Sequence, residues 1–312
     1  MSHSLALLFP GQGSQTAGMG KALAQQFPMA AKVFVEADEA VGFKLSALCF
    51  DGPDEELKLT ANAQPAIVAT SIAALRVLEH ETGVRPALVA GHSLGEYSAL
   101  VAAGALTLSD AVRVVRERGC LMQEAVPVGV GSMAALFGLT PEEVTQVCVE
   151  AAQGQIVSPA NLNGGGQVVI AGHTDAVRRA VTVAKGRGAK RAVELSVSAP
   201  FHCSLMAPVA EGLARVLAPV SVLPLTVGVL ANVTAAVNHD SSRVKDLLVQ
   251  QVTAPVRWEE SMMKLRELGY GAALEVGPGK VLAGLLKRIV ADLPCVSFGD
   301  PSGLAEVKGA IA

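Results

Sequence analysis

One short stretch restricts the folds open to this chain more than any other. Gly91-His92-Ser93-Leu94-Gly95 follows an apolar run, Pro86–Ala90, and precedes a segment of helical character, Glu96–Ala103. The five residues fit G-x-S-x-G, and a nucleophile elbow needs that setting, with a buried strand before it and a helix after it. The turn strains the serine backbone and lifts its hydroxyl out of the sheet. The glycines leave room for strand and helix to approach closely. The helix N-terminus turns backbone N–H groups and its dipole toward a developing oxyanion. The bare pattern is common, so an ordinary glycine-rich turn is the competing reading.

The chain on either side alternates strand and helix. Leu5–Phe9 reads as a buried strand ended by Pro10-Gly11. Met19–Phe27, Ala30–Val41 and Pro65–Leu78 read as helices, and Ser109 as the N-cap of a helix over Asp110–Glu124. Between Gly131 and Ser198 the grain changes. Ser132–Leu139, Ile156–Ala160, Gln167–Ala171 and Arg191–Val197 read as strands, with helices at Pro141–Gln153 and Asp175–Gly188. That order, βαββαβ, is the ferredoxin-like split motif. Helices at Ala207–Leu217, Ser242–Gln251, Trp258–Leu268 and Lys280–Val290, with strands at Leu225–Ala231 and Ala272–Val276, then return to the larger fold. The expected fold class is α/β. A large subdomain with a parallel sheet, residues 1–128 and 199–312, is interrupted by a small ferredoxin-like subdomain, residues 129–198.

Composition removes several classes of function. Hydrophobic residues make up 51% and charged residues 17% of the 312, which excludes a disordered or fibrous chain. A net charge of −3 and 4% aromatic residues argue against nucleic acid as a partner. The longest uncharged stretch, Ala218–His239, is interrupted by Pro219, Pro224, Asn232 and Thr234 and does not read as a membrane-crossing helix. The start of the chain has no basic segment, and its apolar run is too short for a signal peptide. Asn232-Val233-Thr234 fits a glycosylation sequon, which carries no weight without export. The five cysteines, Cys49, Cys120, Cys148, Cys203 and Cys295, form no C-x-x-C pair and no zinc-spaced cluster. Reduced thiols in a cytoplasm, and no metal, are therefore expected. Gly11-Gln12-Gly13-Ser14-Gln15 is an incomplete dinucleotide fingerprint, and Gly277-Pro278-Gly279-Lys280 lacks the spacing of a P-loop. The first of these loops can instead supply an oxyanion N–H.

A serine hydroxyl needs a base. Of the six histidines, His3 is terminal, His80 sits in a polar helix end, and His92 adjoins the serine but points elsewhere. His173 follows a strand of the small module, and His239 lies in a loop. His202 lies in Ser198-Ala199-Pro200-Phe201-His202-Cys203, where the chain leaves the small module, a good place for a cleft residue. A loop histidine with satisfied bonds is the alternative. No Asp stands out as the orienting acid. Arg118 is the second anomaly. It shares a helix face with Ala111, Val115 and Met122, and a guanidinium on an apolar face needs an anion. That anion is either a protein carboxylate or a substrate carboxylate held by two bonds. Lys185, Arg187, Lys190 and Arg191 form either a solvated turn or a docking point for an acidic partner.

Taken together, the blocks Phe9–Gln15, Gly91–Glu96, Arg118-Gly119, Met122-Gln123, Pro159–Asn163, Pro200–His202, Gln251, Pro255–Trp258 and Glu275–Lys280 make the sequence similar to malonyl-CoA:acyl carrier protein transacylases. The resemblance spans essentially the whole chain. It implies an α/β-hydrolase-like core interrupted by a ferredoxin-like subdomain. It implies Ser93 as nucleophile and His202 as base, with the main-chain carbonyl of Gln251 orienting the imidazole in place of an Asp. It implies an oxyanion hole from the N–H groups of Gln12 and Leu94, and Arg118 as holder of the malonyl carboxylate. His92, Asn163 and Phe201 match positions near the substrate. Ping-pong transfer from malonyl-CoA to the phosphopantetheine thiol of an acyl carrier protein follows, in fatty-acid synthesis, without a cofactor and in a monomer. A plain esterase, a relative serving polyketide synthesis or malonate decarboxylation, and a non-enzymatic docking subunit are the rival readings.

Overall fold

The computed structural model describes residues 5–127, 129–195, 197 and 199–311. His3, the boundary residues Val128 and Ser198, and Ser196 within the expected strand 191–197 lie outside the described residues. The first part of the chain runs β1 (Leu5–Phe9), α1 (Lys21–Gln26), α2 (Pro28–Val41), α3 (Leu45–Asp51), α4 (Asp54–Lys58) and α5 (Thr60–Thr82), then β2 (Leu88–Gly91), α6 (Gly95–Ala102) and α7 (Leu108–Ala125). A second group follows: β3 (Gly131–Phe137), α8 (Pro141–Ala152), β4 (Val157–Gly164), β5 (Gln167–His173), α9 (Thr174–Gly186) and β6 (Arg191–Glu194). The last part holds α10 (Ala207–Leu217), β7 (Gly228–Ala231), β8 (Ala236–Asn238), α11 (Val244–Gln251), α12 (Trp258–Glu267), β9 (Ala272–Val276), α13 (Val281–Ile289), β10 (Cys295–Phe298) and α14 (Leu304–Ile311).

The larger sheet has the order β10-β9-β1-β2-β7-β8, all parallel except the final β7–β8 pair. Its central strand is apolar throughout because both faces are covered. Leu7 and Phe9 enter a core shared with α2, α5 and α7, while Ala6 and Leu8 enter another with Trp258 and Leu286. The smaller sheet has the order β4-β5-β3-β6, antiparallel throughout, with α8 and α9 closing its own core around Ile170. This is the ferredoxin-like arrangement expected from βαββαβ. It is tied to the larger subdomain by main-chain bonds, Leu162 N–H to Val256 O and Val256 N–H to Ala160 O, each 2.9 Å.

Several boundaries differ from expectation for physical reasons. Helix α5 begins at Thr60 and continues through Pro65, an interior position beyond the N–H groups that are free at any helix start, so the proline does not mark the boundary. Helix α7 is capped by Thr107, whose side chain accepts from Asp110 N–H, rather than by Ser109. Strand β4 runs on to Gly164 through two register shifts, and such bulges re-aim side chains. Helices α3, α4 and α14 and strands β8 and β10 lie in stretches whose short apolar runs gave no periodic signal.

The register pairs Phe9 with Gly91, so β1 and β2 end side by side and their following loops meet. A Cβ on Gly91 would stand 1.9 Å from the main-chain carbon of Gly95, and a Cβ on Gly95 would stand 2.0 Å from the Phe9 carbonyl oxygen. Backbone cannot yield at such distances. Gly91→Ala is therefore expected to cost at least about 3 kcal/mol in urea unfolding. Gly284→Ala, in α13 with nothing within 4 Å, is expected to gain about 0.5–1 kcal/mol. Matching midpoints for the two variants would contradict this packing.

Candidate active site

The loops after β1 and β2, the N-terminus of α6 and the face of the small sheet turned away from α8 and α9 enclose a cleft of about 410 Å³. Gln12, His92, Ser93, Leu94, Arg118, Asn163, Phe201 and His202 all line it, and Gln251 lies directly behind. Ser93 sits at φ 51 and His202 at φ 60, left-handed conformations that side chains other than glycine's rarely adopt. The turn thus holds the serine hydroxyl out of the sheet, as an elbow requires.

Ser93 Oγ lies 2.7 Å from His202 Nε2, and His202 Nδ1 lies 2.8 Å from the main-chain oxygen of Gln251. A carbonyl only accepts, so Nδ1 carries the proton and bare Nε2 accepts from the serine hydroxyl. Gln251 is the last residue of α11, where carbonyls have no partner within the helix. That is why a main-chain oxygen is free to orient the ring where an Asp is absent. Burial, and then the charge of Arg118, push the imidazole down from 6.5 to about 3.

Arg118 is 2% exposed. Nη1 donates to Gln64 Oε1 at 2.7 Å, Nη2 donates to Gln251 Oε1 at 3.0 Å, and Nη2 lies 3.5 Å from Ser93 Oγ. Its Nε has no partner among the described residues. Among the described residues it forms no ion pair, so the protein-carboxylate reading of this residue does not hold. Two neutral amides hold the guanidinium while its charge stays unmatched. The Tyr97 ring faces the guanidinium at 5.7 Å, and the Glu96 carboxyl lies behind Gln251, bonded to its Nε2.

The remaining candidates fall around this centre. His92 Nε2 lies 2.8 Å from Asn163 Oδ1, joining the elbow to β4 across the cleft, and its ring packs on Trp258 at 5.3 Å between centroids. Burial lowers the pKa of His92 as well. Gln12 Oε1 accepts from Thr60 Oγ1 at 2.9 Å, and neither Gln12 N–H nor Leu94 N–H has a protein acceptor among the described residues. Phe201 is buried at the cleft wall. His173 is elsewhere, with Nδ1 accepting from Ile156 N–H. The basic run spans the last turn of α9 to the first residue of β6 on the surface, where Arg187 pairs with Glu150 and Arg191 stacks on Phe137. No group of three metal-ligating side chains occurs among the described residues.

Sequence reasoning misses Gln64, Glu96 and Asn232. Asn232 is buried, with Oδ1 2.6 Å from Ser93 N–H, so the sequon it opens lies inside the protein. Gln64 is hidden because Pro65 reads as a helix start.

The chain as a whole has known relatives. Residues 6–297 match the family model for the acyl transferase domain. A malonyl CoA-acyl carrier protein transacylase of Escherichia coli (strain K12) is 49% identical over 300 residues, 96% of this chain and 97% of that one. A crystal structure of an acyl carrier protein S-malonyltransferase from Vibrio cholerae superposes with a TM-score of 0.95 at 47% identity, covering 97% of this chain and 99% of that one. A malonyl-transacylase solved in complex with a type II PKS acyl-carrier protein superposes at 0.96 with 46% identity, covering 98% and 99%. The chain is therefore an acyltransferase, and it belongs to the family of malonyl CoA-acyl carrier protein transacylases.

The depressed pKa of His202 has a measurable sign. The imidazole stays neutral, and able to take a proton, down to about pH 3. Labelling of Ser93 by a fluorophosphonate probe should thus change little between pH 7.5 and 5.5, where an unshifted histidine would lose roughly tenfold. The same shift stabilises the fold fully above the unfolded value of 6.5, and this contribution is lost as the pH falls to about 3. A tenfold fall in labelling by pH 5.5 would show an unshifted base.

Proposed function

We propose that this acyltransferase moves a malonyl group from malonyl-CoA to the phosphopantetheine thiol of an acyl carrier protein, through a malonyl ester on Ser93, supplying extender units for fatty-acid synthesis. The observation that carries the proposal is Arg118, a buried cation 3.5 Å from Ser93 Oγ with no carboxylate partner among the described residues. A plain esterase has no use for such a charge. A substrate with a carboxylate two carbons from its thioester carbonyl supplies the missing anion beside the reacting serine.

Ser93 Oγ attacks the thioester carbonyl while His202 Nε2 takes its proton. The oxyanion meets the free N–H groups of Gln12 and Leu94. The C–S bond then breaks, and CoA leaves with the proton from His202. In the second half, the carrier's thiol passes its proton to His202 and attacks the ester, and Ser93 recovers the proton as the C–O bond breaks. The main-chain oxygen of Gln251 holds the imidazole in one tautomer throughout. His92 and Asn163 flank the acyl group as a bonded pair, and Phe201 limits it to a small, unbranched one.

The relative solved with an acyl-carrier protein supports the choice of acceptor. Every proposed group comes from one chain, so a monomer suffices, and the reaction calls for no cofactor. A cytoplasmic setting goes with the proposal, and the five free cysteines suit it. No helix among the described residues is long and apolar enough to cross a membrane.

Intact-mass measurement after mixing with malonyl-CoA should show a malonyl adduct on the wild type and none on Ser93→Ala. An adduct on the variant would remove Ser93 from the mechanism. Arg118→Ala should lower kcat/KM for malonyl-CoA at least about 100-fold through loss of charge-assisted bonds. Acetyl transfer should fall little, and Arg118→Lys should rescue only in part. Equal losses for malonyl and acetyl groups in a folded variant would make the arginine structural.

A further inference from the structure

Beneath the elbow lies a buried carboxylate that the mechanism does not use. Glu96 is the second residue of α6, and one of its oxygens, Oε2, accepts two bonds. Asn232 main-chain N–H donates to it at 3.1 Å, and Gln251 Nε2 donates to it at 2.8 Å. Each donor is the root of a different part of the site.

The Asn232 side chain spans the elbow. Oδ1 accepts from Ser93 N–H at 2.6 Å and Nδ2 donates to Gly91 O at 2.7 Å, so both sides of His92 are held in the left-handed turn. The Gln251 side chain spans from the elbow to the cation. Nε2 donates to Glu96 and also to Ser93 O at 3.1 Å, which uses both of its hydrogens, and Oε1 then faces Arg118 Nη2 at 3.0 Å. An amide turned the other way would put its NH2 group against the guanidinium, donor against donor.

We propose that Glu96 is a positioning residue, whose single oxygen fixes the nucleophile through Asn232 and the carboxylate-binding arginine through Gln251. The arginine half of this rests on the malonyl-transfer reading above, and the serine half does not. Burial raises the Glu96 carboxyl to about 7, yet a carboxyl oxygen accepts hydrogen bonds with or without the proton. Position, not charge, is therefore the property that matters.

Three variants separate the two. Glu96→Gln keeps an oxygen at the same reach and removes the charge. Glu96→Asp keeps the charge and withdraws the oxygen by one methylene. Glu96→Ala removes both. The readouts are kcat/KM for malonyl-CoA and acetyl-CoA, KM and kcat separately, the fluorophosphonate labelling rate of Ser93, and a thermal melt. Asp and Ala should lower the malonyl-to-acetyl preference roughly tenfold, mainly through a higher malonyl KM, and should slow labelling by a similar factor. Gln should recover both to within about threefold. Should Ala not fold, the order of Gln above Asp still decides. Asp above Gln would overturn the proposal by showing that charge is required, and normal preference and labelling in folded Asp and Ala would overturn it outright. A wild type that does not transfer malonyl would defeat the function proposed above, while the labelling rates would still test the support of Ser93.

Discussion

The contact between the backbones of Gly91 and Gly95 sets the terms for everything around the cleft. A strand can hand over to a helix in so few residues only if no side chain stands between them. The cost is a serine held at φ 51, and the bonds to its N–H and C=O from Asn232 and Gln251 show how that conformation is kept. Because β1 and β2 pair with Phe9 opposite Gly91, the loop carrying Gln12 arrives beside the same turn. The placing of the Gln12 and Leu94 N–H groups side by side at the cleft thus follows from sheet register and turn geometry.

The second organising fact is electrostatic. A buried guanidinium surrounded by carboxylates would be neutralised before any ligand arrived. Here Gln64 and Gln251 supply oxygen without charge. They fix the fork in space without placing a charge against it. The same positive charge helps hold His202 neutral, so one side chain both attracts an anion and keeps a base unprotonated.

The elbow and the cation are legible in the sequence because each violates a local expectation: a G-x-S-x-G between strand and helix, and an arginine on an apolar helix face. The ferredoxin-like order of strands and helices is legible from alternation alone. The orienting carbonyl of Gln251 enters through family resemblance, since a main-chain oxygen has no residue signature. Glu96 falls in the Gly91–Glu96 block and Asn232 opens a sequon, but neither pattern points to their pairing. They are separated by 136 residues and meet only when β2 and β7 pair, so their partnership is a property of the sheet. Gln64 is obscured by its neighbour, because proline more often begins a helix than sits inside one.

One stretch of chain deserves to be seen as a common reference edge. From Gln251 to Trp258 it touches the imidazole at one end, the β4 edge through Val256, Asn232 O through Arg257 N–H, and the His92 ring through Trp258. Parts gauged from a single edge keep their mutual spacing even when the whole assembly flexes. Displacing that edge would move base, cation, cleft wall and turn together. Tolerance to substitution should therefore be narrow along these eight residues, even where a side chain never meets the substrate.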